Sequence, residues 1–437
     1  MGQDVPKDVV QDELAMDLFF SVGEPSGDLH GANLIRELSA REPGLRVSGL
    51  GGPRMRKAGC ELVYDMTDLA VMGFLPVLGI LPKFFKLLAQ IERHWDERRP
   101  DAVVLIDYPG FNWHVARKAK ERGIPVFYYG LPQLWAWASW RVRKVQRYVD
   151  HALCKLPFEE NWFRERGCNA TYVGHPYFDQ LSAEKLDQAF VNQMRDKPGR
   201  VITVLPGSRT QEIKNNLPDL LKAAERTRQA VPGTSVAIAS YNERQADLAQ
   251  QMVRQSNVLA EIYVGRTPEL IEAAHCCLAC SGSVSLELLY HAKPSVILYR
   301  VPWWSYVVVR RLVQVRYITL VNLLTTDRLY FDRERWNTYE PNEPGHENVL
   351  MPEYPTCRDR SEQLAAHVIE WLTDPFAHQQ AVAKLDELRS IVAHGGASTR
   401  AADYILAALA SAKWDAPSAR TSEAVLLPKN RSYRRAS

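Results

Sequence analysis

The sequence predicts an α/β protein built as two parallel-sheet domains, and three observations carry that prediction. Apolar strand-like segments alternate with helix-like ones along the chain, the pattern of an open parallel sheet wrapped by helices. A polar patch, QMRDKPGR at Gln193–Arg200, breaks the alternation, which then restarts. The 437 residues also exceed what one hydrophobic core usually serves.

In chain order, strands are expected at residues 17–22, 46–49, 101–107, 125–129, 150–155 and 171–173, with helical patterns between them that include 111–122 and 159–166. Beyond a linker placed near 180–199, VITVLPGS, TSVAIAS, AEIYVG, CCLACSGS and PSVILYR read as a second set of strands. The stretch TTDRLYFDRERWNTYEPNEPGHENV is too charged and proline-rich for a core element and reads as an irregular insertion. From about Asp359 the pattern is helical to Ala412. The expected organisation is a disordered segment at 1–16, domains at 17–185 and 186–375, helices at 376–412, and a disordered basic tail at 413–437.

Composition narrows the function classes. With 46% hydrophobic and 24% charged residues the chain is an ordinary globular protein, and a net charge of +3 is too weak to argue for nucleic acid. Seven cysteines in no metal-binding spacing read as reduced thiols of a cytosolic protein; Cys276, Cys277 and Cys280 fall in what reads as a buried strand. The acidic, polar first residues are no secretory signal, and no apolar run reaches the ~20 residues of a membrane span. Two shorter runs, LAVMGFLPVLGIL (69–81) and VILYRVPWWSYVVVRRLV (296–313), suit either core elements or an apolar surface with flanking cations that touches a membrane.

Four junctions could carry chemistry. The first strand runs into GEPSGD, with Gly23, Gly27 and Gly31 four apart and neither a G-x-G-x-x-G nor a G-K-[ST] pattern. Its Glu24 and Asp28 would repel a phosphate, so the turn suits sugar hydroxyls; Asp28 equally reads as serving the first turn of the helix. VVLIDYPGFN delivers Asp107 to the carboxyl end of a strand, where open α/β sheets keep their ligands. Asp107 is a candidate general base, with a turn-forming carboxylate as the alternative. In the second half, LPGSRTQEI sets Arg209 near a helix start, and SGSVSLE offers a small-residue turn with Glu287 one helical turn on. Both suit a nucleotide diphosphate, whose oxygens would meet Arg209 and free amides while Glu287 took ribose hydroxyls. There is no Asp-x-Asp in the chain, so a metal held that way is not indicated.

Read together, GEPSGDLHGANLIREL, GLGGPRMRKAGCE, DLAVMGF, LIDYPGFN, LWAW, RVRKV, LPFEENWF, VGHP, LPGSRTQEI, SGSVSLE and YITLVNLL stand in an order and spacing that resembles the bacterial lipid-A-disaccharide synthase family. The resemblance runs from about Asp17 to about Ala410. It implies a GT-B glycosyltransferase, two Rossmann-like domains facing a cleft, without cofactor or metal. It further implies transfer of 2,3-diacylglucosamine from its UDP derivative to 2,3-diacylglucosamine 1-phosphate, giving an inverted β-1,6 linkage and UDP.

Carried over by residue, the resemblance makes Asp107 the base and Arg209 the diphosphate ligand. Glu24, Ser26, Asp28 and Asn112 would line the acceptor cleft. Gly207, Ser208, Ser281, Gly282, Ser283, Glu287 and Asn322 would bind UDP. Val71, Met72, Phe74, Leu75 and Leu78 would touch membrane or acyl chains, placing a cytosolic protein at the inner-membrane surface; a homodimer is left open. The chain departs from the family's usual residues at Gly110, Leu131, Gln133, Pro76 and Pro352–Thr356. A different lipid-linked acceptor, a UDP-sugar 2-epimerase and a non-catalytic lipid- or nucleotide-binding relative stand as alternatives.

Overall fold

The computed structural model describes residues 16–66, 77–326, 328–330 and 349–415. The expected membrane-contact residues Val71, Met72, Phe74 and Leu75, the side chain of Leu78, most of the charged insertion and the basic tail lie outside the described residues.

Two parallel sheets organise the chain. The first comprises β1 (Asp17–Val22), β2 (Arg46–Gly51), β3 (Glu61–Asp65), β4 (Ala102–Ile106), β5 (Val126–Tyr129), β6 (His151–Cys154) and β7 (Ala170–Tyr172), in the order β3-β2-β1-β4-β5-β6-β7. The second comprises β8 (Val201–Leu205), β9 (Ser235–Ser240), β10 (Glu261–Val264), β11 (Cys276–Cys280), β12 (Ser295–Arg300) and β13 (Glu353–Thr356), in the order β10-β9-β8-β11-β12-β13. Helices cover both faces, so central strands are apolar on both sides. In β1, Leu18, Phe20 and Val22 enter one core and Phe19 the other.

Two strands go beyond those expected, β3 and β13, and both are sheet edges. ELVYD has no fully buried residue, and EYPT carries Pro355, a residue tolerated in strands mainly at edges. The region read as a linker holds helices Pro176–Ala183 and Gln188–Arg195. Phe178, Leu181, Val191 and Met194 insert into the core of the second domain, so the polarity of that stretch belongs to the outer face of a packed helix and the turn after it. Cys276, Cys277 and Cys280 lie buried in β11, where burial pushes the Cys277 and Cys280 thiols up to about 12.

The three C-terminal helices divide between the domains. Ser361–Thr373 and Pro375–Val392 cover the second sheet through Leu364, Val368, Leu385 and Leu388. Helix Ala397–Asp415 returns to the first domain, burying Ala401, Ala402, Ile405 and Leu409 against the helix after β1. Asp179 fixes the crossing by accepting from the amides of Ala397 and Ser398 at 3.0 and 2.8 Å. Among the described residues no helix is long and apolar enough to cross a membrane.

Candidate active site

Sheet topology places the candidate residues before any side-chain chemistry is considered. Both strand orders reverse direction at one point, between β1 and β4 in the first sheet and between β8 and β11 in the second, where α/β sheets open a crevice for ligands. Val22 pairs with Ile106, so Gly23 and Asp107 leave their strands side by side. Leu205 pairs with Ala279, so the Pro206–Arg209 turn and the Ser281–Ser283 turn likewise emerge together.

The first crevice is built around a strained aspartate. Asp107 and Tyr108 are both left-handed, at φ 47° and 44°, a conformation costing on the order of 1 kcal/mol or more per non-glycine residue. A clamp enforces it: the Asp107 carbonyl accepts from Asn112 Nδ2 at 2.8 Å and from Tyr128 Oη at 2.7 Å. Asn112 is itself fixed by the Ser21 hydroxyl, which donates to its Oδ1 at 2.7 Å. The strain also folds the Tyr108 ring over Gly23, where an added Cβ would stand 2.3 Å from the ring, so only glycine fits there.

Clamped in this way, the Asp107 carboxylate meets the end of β6, where Lys155 Nζ lies 3.0 Å from Oδ1. Burial disfavours a charged Lys155, but the carboxylates of Asp107 and Glu159 outweigh it and its pKa lies above the ordinary lysine value. Glu159 anchors this corner by accepting from the Lys155 and Leu156 amides at 2.9 and 3.0 Å and from Trp135 Nε1 at 2.9 Å. His30, buried and pushed down to about 4 by that burial against the opposing field of Asp107, stays neutral near physiological pH. His175 is likewise held neutral, first by burial and then by Lys155 and His30. The site is thus a single ion pair walled by two neutral imidazoles.

The four residues assigned to the acceptor cleft separate into two pairs. Glu24 and Ser26 are exposed at the mouth of the crevice, and the Glu24 charge is felt by Tyr108 and Lys155. Asp28 is not available to a ligand in that way: its Oδ1 accepts from the Gly52 and Met55 amides at 2.8 and 3.0 Å, and its Oδ2 from the Arg54 amide at 3.0 Å. It caps the short helix Pro53–Lys57 across the crevice. Asn112 is fully buried beneath the site as part of the clamp.

The second crevice carries an exposed cation, Arg209. Gly207, at φ 112°, lets the chain turn over Glu212, whose Cβ would stand 2.6 Å from an added one. Glu212 Oε2 accepts from the Ser208 and Arg209 amides at 2.9 and 3.1 Å. These two amides are therefore occupied by the Glu212 carboxylate. Arg209 reaches back to Glu212 Oε1 at 3.2 Å with its side chain 78% exposed. Ser281, Gly282 and Ser283 form the neighbouring turn, with Gly282 and Ser283 exposed.

Glu287, behind that turn, accepts from Tyr177 Oη at 2.8 Å through Oε2, while its Oε1 is buried without a partner. Burial pushes this carboxyl up to about 7, against the Tyr177 hydrogen bond. Asn322 stands apart from the UDP assignment. Its Nδ2 donates to the Met351 carbonyl and to Glu353, and its Oδ1 accepts from the Leu350 and Met351 amides, so it ties two chain segments together beneath the surface.

Lys155, Glu159, Trp135, His30 and His175 were not singled out from the sequence as site residues. Lys155 had a readable signal, a charged residue at the carboxyl end of an apolar strand like Asp107 itself, and Glu159 sits at the third helical position, where a carboxylate reaches back to free amides. His175 caps the helix that follows it by accepting from the Tyr177 amide at 3.2 Å, and that local role gives no sign that Lys155 and His30 lie near it.

Comparison with known proteins bears on the same residues. A family model described as "Lipid-A-disaccharide synthetase" matches residues 18–333, which spans both crevices. Lipid-A-disaccharide synthase of Anaeromyxobacter sp. (strain K) is 35% identical over 387 residues, covering 88% of this chain and 95% of that one; the protein of the same name from Myxococcus xanthus is 34% identical with the same coverage. Among solved structures, the S. aureus MnaA–UDP co-structure aligns with a TM-score of 0.59 at 13% identity, covering 90% of this chain and 97% of the other. The glycosyltransferase CalG4 aligns at 0.53 and 15% identity, covering 92% and 100%. These structural likenesses show the fold, a two-domain GT-B architecture. With the family model matching residues 18–333 and relatives of 34–35% identity covering 88% of the chain, this protein belongs to the lipid-A-disaccharide synthase family.

Proposed function

We propose that this chain transfers 2,3-diacylglucosamine from UDP-2,3-diacylglucosamine to 2,3-diacylglucosamine 1-phosphate, forming a β-1,6 disaccharide and releasing UDP. The observation that supports this most directly is the placement of Asp107 at the switch point of the first sheet and of the Arg209 turn at that of the second. In a single displacement the acceptor 6-hydroxyl gives its proton to the Asp107 carboxylate as its oxygen attacks the anomeric carbon from the face opposite UDP. The bond to the diphosphate oxygen breaks with its electron pair on UDP, and Arg209 with the amides of Ser208 and the Ser281–Ser283 turn meets the developing charge.

Lys155 serves as a positioning residue that holds the Asp107 side chain in one rotamer through their ion pair. Glu24 and Ser26 offer acceptors and a donor to the incoming sugar. Glu287 Oε1, buried and unpartnered, is suited to a ribose hydroxyl donor. Working on acylated sugars, the chain would act at the cytoplasmic face of the inner membrane, touching it without crossing.

Mass spectrometry of a reaction containing the defined donor, the acceptor and a metal chelator tests the reading. An acylated disaccharide phosphate formed in step with UDP supports it. A donor epimerised at C-2 with no disaccharide would select the 2-epimerase reading, and binding without turnover the non-catalytic one.

A further inference from the structure

A cavity of about 1100 Å³ shares no residue with either crevice. Its walls come from both domains, and its lining includes Arg166, Arg310, Arg311, Arg358 and Arg360 with Trp303. No aspartate or glutamate lines it among the described residues.

Several arginines elsewhere are neutralised: Arg41 by Glu37 and Asp403, Arg122 by Glu92 and Asp96, Arg195 by Glu272. Here Arg166 pairs with Glu165 at 3.6 Å, while Arg310, Arg311, Arg358 and Arg360 have no carboxylate partner among the described residues, and Arg360 Nε is buried without a hydrogen bond. Like charges gathered without counter-charge repel one another, and the arrangement is stable in company of an anion.

The rim says which kind of anion. Helix Trp303–Leu312 has no buried residue at all. Trp304, Val308 and Leu312, spaced four apart, form an exposed apolar stripe along it, and Trp303 is 72% exposed. Trp140, beside the lining residue Ser139, is 59% exposed on the facing domain. Tryptophans around a basin of arginines match the two layers of a membrane interface, where indoles sit at headgroup level and guanidiniums take phosphates.

We propose that this cavity receives the phosphate headgroup of an anionic phospholipid, with helix Trp303–Leu312 lying in the membrane surface beside it. The assignment rests on the membrane-surface part of the function proposed above and adds to it a defined lipid-phosphate site.

The test uses the full chain and vesicles of phosphatidylcholine with or without phosphatidylglycerol. Wild type should sediment with the phosphatidylglycerol vesicles and weakly with the neutral ones. The double variant Arg310→Ser/Arg311→Ser should bind the anionic vesicles at least about tenfold more weakly, with an unchanged urea midpoint and unchanged turnover of detergent-dispersed substrates. The charge-keeping Arg310→Lys/Arg311→Lys pair should retain most of the binding, and Trp304→Ser should weaken binding to both vesicle types. If wild type binds anionic vesicles and the serine pair binds them equally, the cavity assignment is overturned while the membrane-surface reading survives. If wild type binds neither vesicle, both fall. Unchanged vesicle binding with a raised acceptor KM in phospholipid-free micelles would make the cavity a substrate subsite and overturn the assignment.

Discussion

Replacing Asp28 by alanine removes one carboxylate and leaves three backbone donors, the amides of Gly52, Arg54 and Met55, without their acceptor. Two of these bonds are buried, and each donor stranded away from water costs about 1–3 kcal/mol. The short helix Pro53–Lys57 can fray and return the Arg54 amide to solvent, so we expect a loss of about 3–4 kcal/mol, above the 0.5–2 kcal/mol of an ordinary helix cap. In a domain of this size that corresponds to a fall in Tm of about 10 °C. Asp28→Asn should recover most of it, because Oδ1 alone serves both Gly52 and Met55. Thermal melts followed by circular dichroism give the stability, and initial rates at a temperature well below the transition give kcat and the acceptor KM. The reasoning requires a large drop in Tm with near-normal kinetics in the folded variant. An unchanged melt with a severalfold higher acceptor KM would refute it and restore Asp28 to the acceptor cleft.

Other perturbations separate the remaining roles. Arg209→Ala should raise the apparent Kd for UDP by at least about tenfold, the scale of one charge-assisted contact, with little change in Tm because the side chain is mostly exposed; titration calorimetry with UDP measures both the loss and its absence. Glu287 holds its proton up to about 7 in the folded chain against an ordinary 4.5. Between those values the folded state binds the extra proton, so stability falls as pH rises through that window, by at most about 3 kcal/mol. Urea midpoints from pH 4.5 to 8 should show this slope in wild type and a weaker one in Glu287→Gln, and identical slopes would place the titration elsewhere. Asn322→Ala, which removes ties to Leu350, Met351 and Glu353, should lower the urea midpoint while leaving the UDP Kd within about twofold, since a buried amide that touches no ligand costs stability alone.

The central strands were legible because parallel strands covered on both faces are nearly continuous apolar runs; Asp17–Val22 is the same six residues in sequence and structure. The edge strands were not, since ELVYD and EYPT have neither the apolar content nor, with Pro355, the residue types of a central strand. The placement of Asp107 and Arg209 was legible because each follows an apolar strand at a turn. What they touch was hidden: the Asp107–Lys155 pair joins residues 48 positions apart, and the Asn112–Ser21 bond 91. The same holds for Asp28, whose partners are the backbone amides of residues 52–55, and for Asn322, whose partners are the backbone of residues 350–351 and the Glu353 side chain. Local pattern shows where a charge leaves a strand, and only the packed sheet shows whether that charge is already spent.

The claim that the chemistry belongs to the first crevice and the nucleotide to the second is tested most directly by one paired measurement on Asp107→Asn. Disaccharide formation should fall by a factor of about 10² or more, the scale of a lost general base, while the Kd for UDP stays within about twofold of wild type. Retained disaccharide formation, or a loss that tracks weakened UDP binding, would contradict the account.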